Sequence, residues 1–139
     1  MEAALATRRE NDLTEPLPRF EMDQPTCEQS RQNLRLKHLR GYDRRSGRFP
    51  ARIADQCRLA FCAGDAMLST KGASLRDVVR VTYLVKNVGH LSTCGSFVSD
   101  MLGDNRPATT VLVVEQFDRP EVEIELELTA RMPEVAALS

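Results

Sequence analysis

The chain has no tryptophan, and tyrosine and phenylalanine together make up only 5% of its 139 residues. A core built from these residues must therefore rest on aliphatic packing, and a surface rich in base-stacking platforms is excluded. Histidine is scarce as well, with only His38 and His90. The four cysteines, Cys27, Cys57, Cys62 and Cys94, form no CxxC pair. Together these absences leave metal ligation with little support, so no metal is expected. Free thiols in a reducing, cytoplasmic setting are the reading for the cysteines. Cys57 and Cys62, about 140° apart on a helix of 3.6 residues per turn, are both placed with Cys94 in amphipathic patterns that suit a core. No apolar run approaches the roughly 20 residues a membrane helix needs. Arg8 and Arg9 precede no apolar segment or small-residue cleavage site, so no secretory leader is expected. A net charge of −1 and a hydrophobic fraction of 42% match an ordinary soluble domain, and the length suits one core.

Residues 1–33 hold three prolines, seven acids and four arginines without a sustained apolar period. They are expected to form an irregular or extended segment, with one domain over 34–139. A short strand is expected from Leu34 to Leu39, and Gly41 to Gly47 reads as a turn. From Ala51 to Thr70, Ile53, Cys57, Ala60, Phe61, Gly64, Met67 and Leu68 recur at helical spacing. Pro50 and Gly72 punctuate this helix. The β-branched run from Val78 to Val85 predicts a strand, with Val79, Val81, Tyr83 and Val85 on one face. A second helix is expected over Gly89–Leu102, capped by Asn87 and ended by Gly103. The nearly continuous apolar run Thr109–Val114 suggests a central strand. From Glu121 to Met132 the alternation is strict. Val122, Ile124, Leu126, Leu128 and Ala130 share one face, and Glu121, Glu123, Glu125, Glu127 and Thr129 share the other. These elements predict a mixed α+β sheet with both helices on one face. The carboxylate face then looks at solvent or at another subunit, with Arg80 and Arg131 as candidate partners for its charges.

Several short elements occur in a telling order. They are Gly41-Tyr42-Asp43, Gln56 in the first helix, Gly72-Ala73-Ser74-Leu75 with Asp77-Val78-Val79, and Gly103-Asp104. Arg106-Pro107-Ala108-Thr109-Thr110 and Glu125-Leu126-Glu127 before Thr129-Ala130-Arg131 complete the series. Over roughly Gly41 to Met132 the chain resembles the reactive-intermediate deaminase family (RidA/YjgF). The resemblance implies a chorismate-mutase-like fold assembled as a homotrimer, with ligand clefts between subunits. It also implies hydrolysis of small enamines and imines such as 2-aminoacrylate to a keto acid and ammonia. That chemistry needs a guanidinium for the substrate carboxylate and a carboxylate to position water, and no cofactor.

Two features depart from the family pattern. The deaminases carry arginine directly after Pro-Ala; here Thr109 stands there, and Arg106 precedes the proline. The Gly-Pro-Tyr-like turn and Val-Ser-Gly strand of the family's first hairpin have no counterpart in residues 1–40. The expected roles are Arg106 on the ligand carboxylate and Glu125, with Glu123 the alternative, on water. Thr109, Thr110, Tyr42 and Cys94 are further candidate binding residues, each with a structural reading beside it. Arg106 could be an exposed arginine before the proline turn, paired with Asp104; Tyr42 could pack, and Cys94 could be a core thiol. A non-catalytic homologue that binds a metabolite or a protein is the alternative function. A third reading rests on Arg35, Lys37, Arg40, Arg44, Arg45, Arg48 and Arg52 as an RNA-binding segment, but with only Tyr42 and Phe49 there to stack on bases, nucleic acid is disfavoured.

Overall fold

The computed structural model describes residues 24–133. Of the segment 1–33 expected to be irregular or extended, the first 23 residues, with the expectation of no leader, lie outside them. Thr26–Gln29 is instead a strand of the sheet, so the domain begins before residue 34. Strands β1 (Thr26–Gln29) and β2 (Asn33–Arg40) form a hairpin, followed by helix α1 (Ile53–Ser69). Then come a 3-10 turn (Leu75–Asp77), strand β3 (Val78–Val85), a second 3-10 stretch (Val88–Cys94) and helix α2 (Gly95–Leu102). Strands β4 (Ala108–Val113) and β5 (Ile124–Arg131) complete the domain. The five strands lie in the order β1-β2-β5-β3-β4, with β3 and β4 parallel and every other neighbouring pair antiparallel.

The α+β architecture follows the alternation seen in the sequence. Ile124, Leu126, Leu128 and Ala130 of β5 are fully buried and meet Leu34, Leu36 and Leu39 of β2 and Val81, Tyr83 and Val85 of β3. Cys57, Ala60, Phe61 and Leu68 of α1 close the core over them, with Cys94 and Leu102 beside α2. Asn87 caps the second helical stretch, its side chain accepting from Gly89 N. That stretch begins as a 3-10 segment and becomes α-helical only at Gly95. Gly41 sits where β2 meets α1 so closely that a Cβ there would lie 1.8 Å from Gln56 O, a position only glycine can fill.

Three expectations are corrected. Strand β4 is an edge strand among the described residues, with Leu112 and Val113 exposed. Its continuous apolar run therefore has another cause than burial on both faces. Val78, not Val79, joins the core face of β3, because the pairing with β5 slips between Val78 and Arg80 and throws Val79 outward. Cys62 is exposed, since it falls on the outer side of α1, whereas Cys57 and Cys94 are buried as expected.

Candidate functional site

Strand β2 steps through the core at Leu34 and Leu36, and then at Leu39, an interval of two residues followed by one of three. The extra residue is a β-bulge, visible as a register shift against β5 between Leu36 and Leu39. His38 occupies the bulge with φ +62°, the left-handed region that suits glycine. After the bulge, Arg40 lies opposite Glu125 of β5. The two side chains meet in a nearly buried ion pair, with Arg40 Nε donating to Glu125 Oε1 at 2.8 Å. Arg40 Nη2 also donates to Asp118 Oδ1 at 2.6 Å, and its guanidinium lies 5.7 Å from the Phe117 ring centroid. The other carboxylate oxygen, Glu125 Oε2, lies 3.5 Å from His38 Nδ1, whose side chain is half-exposed.

The electrostatics follow from these contacts. Burial works against the charged guanidinium of Arg40, but its bonds to Asp118 and Glu125 outweigh this and hold its pKa above the ordinary value. The same hydrogen bond holds the Asp118 carboxyl below the usual carboxylate range. The Glu125 carboxyl is thus fixed in place, with Oε1 held by Arg40 and Oε2 turned toward His38.

Gln56 fixes the approach to this strand. Its Nε2 donates to Pro50 O and Glu121 O, each at 2.8 Å, and its Oε1 accepts from Glu123 N at 2.9 Å. A side chain in α1 therefore sets where β5 begins, and with it the position of Glu125. Two other glutamates of the stripe pair with residues other than the expected Arg80 and Arg131: Glu123 with Lys86 at 3.2 Å and Glu121 with Arg119 at 2.9 Å. Arg80 instead donates to Thr110 Oγ1.

The other expected site residues do not gather around Glu125 within one chain. Arg106 turns back on its own loop, donating to Gly103 O at 2.6 Å and Asn105 O at 2.8 Å. Ala108 lies opposite Arg80 and Glu125 opposite Leu84. That offset along β3 puts the Arg106 loop and Glu125 roughly 13 Å apart along the strand, with β3 between them. Thr109 is exposed with its hydroxyl on Pro107 O, and Thr110 is held by Arg80. Tyr42 is buried, packed 5.7 Å from the Phe49 ring and covered by Arg44 at 4.0 Å. Cys94 is a core thiol beside Cys57, and its hydrogen bond together with burial holds the Cys57 thiol far above its ordinary value. Glu123 is spoken for by Lys86, whereas Glu125 has the buried pair.

Sequence reasoning missed Arg40 and His38 as partners of Glu125. The signal was present in the Leu34–Leu36–Leu39 spacing, which a strict strand alternation cannot satisfy without a bulge. Among the described residues, no cluster of three metal-ligating side chains occurs, and no helix is long and apolar enough to cross a membrane.

A profile of the family described as Endoribonuclease L-PSP matches residues 40–132, about two thirds of the chain. The chain belongs to this family, the RidA/YjgF proteins. No curated protein sequence matches it. Among solved structures, a Thermotoga maritima protein described as a candidate endoribonuclease is 25% identical, with a TM-score of 0.70 over 78% of this chain and 85% of that one. A YjgF-family member from Mycobacterium tuberculosis is 25% identical, with a TM-score of 0.59 over 70% of this chain and 78% of its own. RidA from an Antarctic Psychrobacter is 16% identical and shares the fold, with a TM-score of 0.69 over 76% of this chain and 85% of that one. The match begins at Arg40 and spans Glu125, and it starts beyond the bulge at His38.

Proposed function

We propose that this RidA-family chain binds small carboxylate-bearing imines or enamines of the 2-aminoacrylate type and hydrolyses them to a keto acid and ammonia. The observation that carries the reading is Glu125, a carboxylate held nearly buried by Arg40 with its second oxygen turned toward the half-exposed His38. A fixed carboxylate of this kind can order a water molecule and take its proton as that water adds to the imine carbon. The chemistry requires neither metal nor organic cofactor. The exposed apolar side chains Leu112 and Val113 on edge strand β4 suit a subunit contact. In a homotrimer, the Arg106 loop and Thr109 of one subunit would then complete the cleft around Glu125 of another, with Arg106 on the ligand carboxylate. The free thiols fit a reducing compartment, the cytoplasm.

The test is to generate 2-aminoacrylate in situ and follow the keto acid with wild type and with Glu125→Gln. Acceleration by wild type, lost in the variant, is the expected result. No acceleration over buffer at micromolar protein would sink the deaminase reading.

A second reading, a non-catalytic binder of a metabolite or protein, is supported by Arg106. That guanidinium is bonded to its own loop rather than presented to a ligand, and Thr109 stands where an anchoring arginine would be needed. Under this reading a carboxylate ligand binds but is not turned over. An RNA-binding role for the basic segment 35–52 loses its stacking platform. Tyr42 is buried, and Phe49 lies under Arg119 at 4.9 Å.

A further inference from the structure

We infer that His38 is the proton-transfer residue of the Glu125 site, an assignment that rests on the imine-hydrolysis reading above. Its backbone carries the first argument. At φ +62° an L residue is held in a region that glycine enters freely, and an imidazole kept there needs a return from somewhere. Packing does not supply that return, because the side chain is 52% exposed while Glu125 beside it is 7% exposed. The bulge does have a fold role, since it lets both Leu36 and Leu39 reach the core, but any residue at 38 that tolerates the backbone would serve that end.

Geometry carries the second argument. Nδ1 stands 3.5 Å from Glu125 Oε2, so one ring nitrogen is turned to the carboxylate and the ring's far edge is open to a ligand. A carboxylate behind one nitrogen orients an imidazole so that its other edge can pass a proton to or from a ligand. The carboxylate is itself immobilised through Oε1 by Arg40, and Arg40 by Asp118. The charged groups about His38 include Glu125 across the strand pair, Glu127 of β5 opposite the bulge on the same face as Glu125, Arg40 beyond the bulge, and Asp118 behind Arg40.

The step balances without a co-reactant. Water adds to the imine carbon, its proton passing to Glu125 while protonated His38 gives a proton to the imine nitrogen. Glu125 returns its proton to His38 across their contact, leaving a carbinolamine. The carbinolamine hydroxyl then loses its proton to Glu125 as the carbon–nitrogen bond breaks, and His38 protonates the leaving amine. Glu125 then returns that proton to His38, restoring both groups; the net transfer is two protons to nitrogen, giving ammonia, and the water oxygen becomes the keto oxygen.

The experiment uses the full chain with 2-aminoacrylate generated in situ, comparing wild type with His38→Gly, His38→Asn and Glu125→Gln. Glycine accepts the left-handed backbone without cost, and asparagine tolerates it with a polar side chain of similar reach. Both variants are therefore expected to melt no lower than wild type. Both should lose roughly 100-fold or more in kcat, the usual contribution of general acid–base catalysis, and the histidine limb of the kcat/KM pH profile should vanish. If His38→Asn keeps the wild-type kcat and pH profile, His38 is only a backbone residue and the inference is overturned while the hydrolysis reading stands. If wild type gives no acceleration over buffer, the hydrolysis reading falls and takes the inference with it.

Discussion

Gln56→Leu should loosen the strand that carries Glu125 without removing anything from the site itself. Gln56 is 1% exposed and serves three backbone groups at 2.8, 2.8 and 2.9 Å. Each such bond contributes about 1 kcal/mol net, and a buried backbone group left unmade costs about 1–3 kcal/mol. Pro50 and Glu123 are only partly buried and Glu121 is exposed, so water can replace some of what is lost. Leucine also fills most of the volume, which spares a cavity. The expected loss is about 2–4 kcal/mol. For a domain of about 110 residues that corresponds to a fall in Tm of roughly 8–16 °C. Urea unfolding followed by circular dichroism, at one fixed protein concentration, measures the change directly. Gln56→Glu sharpens the test. It keeps the acceptor for Glu123 N but sets a carboxylate oxygen against two carbonyls, so it should be at least as damaging at neutral pH and recover in part on acidification. A Gln56→Leu loss below about 0.5 kcal/mol, the range of an indifferent surface change, would refute the claim that this side chain anchors the entry to β5.

Gly41→Ala should fail to give folded protein, because its Cβ would lie 1.8 Å from Gln56 O and 2.5 Å from Gln56 C, both backbone atoms; a cooperative unfolding transition near that of wild type would contradict this. Asp118 has its pKa depressed by Arg40, so the stability it contributes is present above the ordinary aspartate range of about 4 and is lost as pH falls through its lowered folded value. Asp118→Asn should therefore flatten the acid limb of the stability–pH curve, and an unchanged limb would argue against the pair. In native protein, Cys62 should react with a thiol reagent first and Cys27 next, while Cys57 and Cys94 wait for unfolding; four equally fast thiols would overturn the assigned burial. Leu112→Asp should lower the oligomeric state measured by light scattering if β4 forms the subunit contact, and an unaltered mass would remove β4 from that role.

Much of the fold was legible because one period dominates each element. Ile124, Leu126, Leu128 and Ala130 alternate with polar residues on a single strand, and the α1 stripe from Cys57 to Leu68 repeats at helical spacing. The hairpin's first strand, Thr26–Gln29, was less legible, since four mostly exposed residues carry no apolar signature. Strand β4 misled for the opposite reason: an apolar run records contact with something, and the sequence does not say whether that is the chain's own core or another surface. The site was half legible. Glu125 stood out by its place in the strictest strand. Its partner Arg40 looked like one arginine among several in a basic segment, because pairing across 85 positions of chain depends on register, which a bulge shifts by one. Tyr42 and Cys94 were named for their chemistry, but packing claimed both.

The three-residue step from Leu36 to Leu39 makes β2 a strand whose parity changes part-way along. Before the step, even-numbered residues face the helices; after it, odd-numbered ones do. At this length, the location of the Arg40–Glu125 pair is thus held by the bulge that absorbs the extra residue. Removing a single residue at 37 or 38 would leave an unbroken alternation with Leu34, Leu36 and Leu39 under α1 and Arg40 still opposite Glu125, whereas flattening the bulge at full length would turn Arg40 under α1 and expel Leu39. The extra residue is one that core packing does not require, so β2 should keep its faces when residue 38 is removed, and the exchange of a core leucine for a guanidinium is expected only if the bulge is lost at full length.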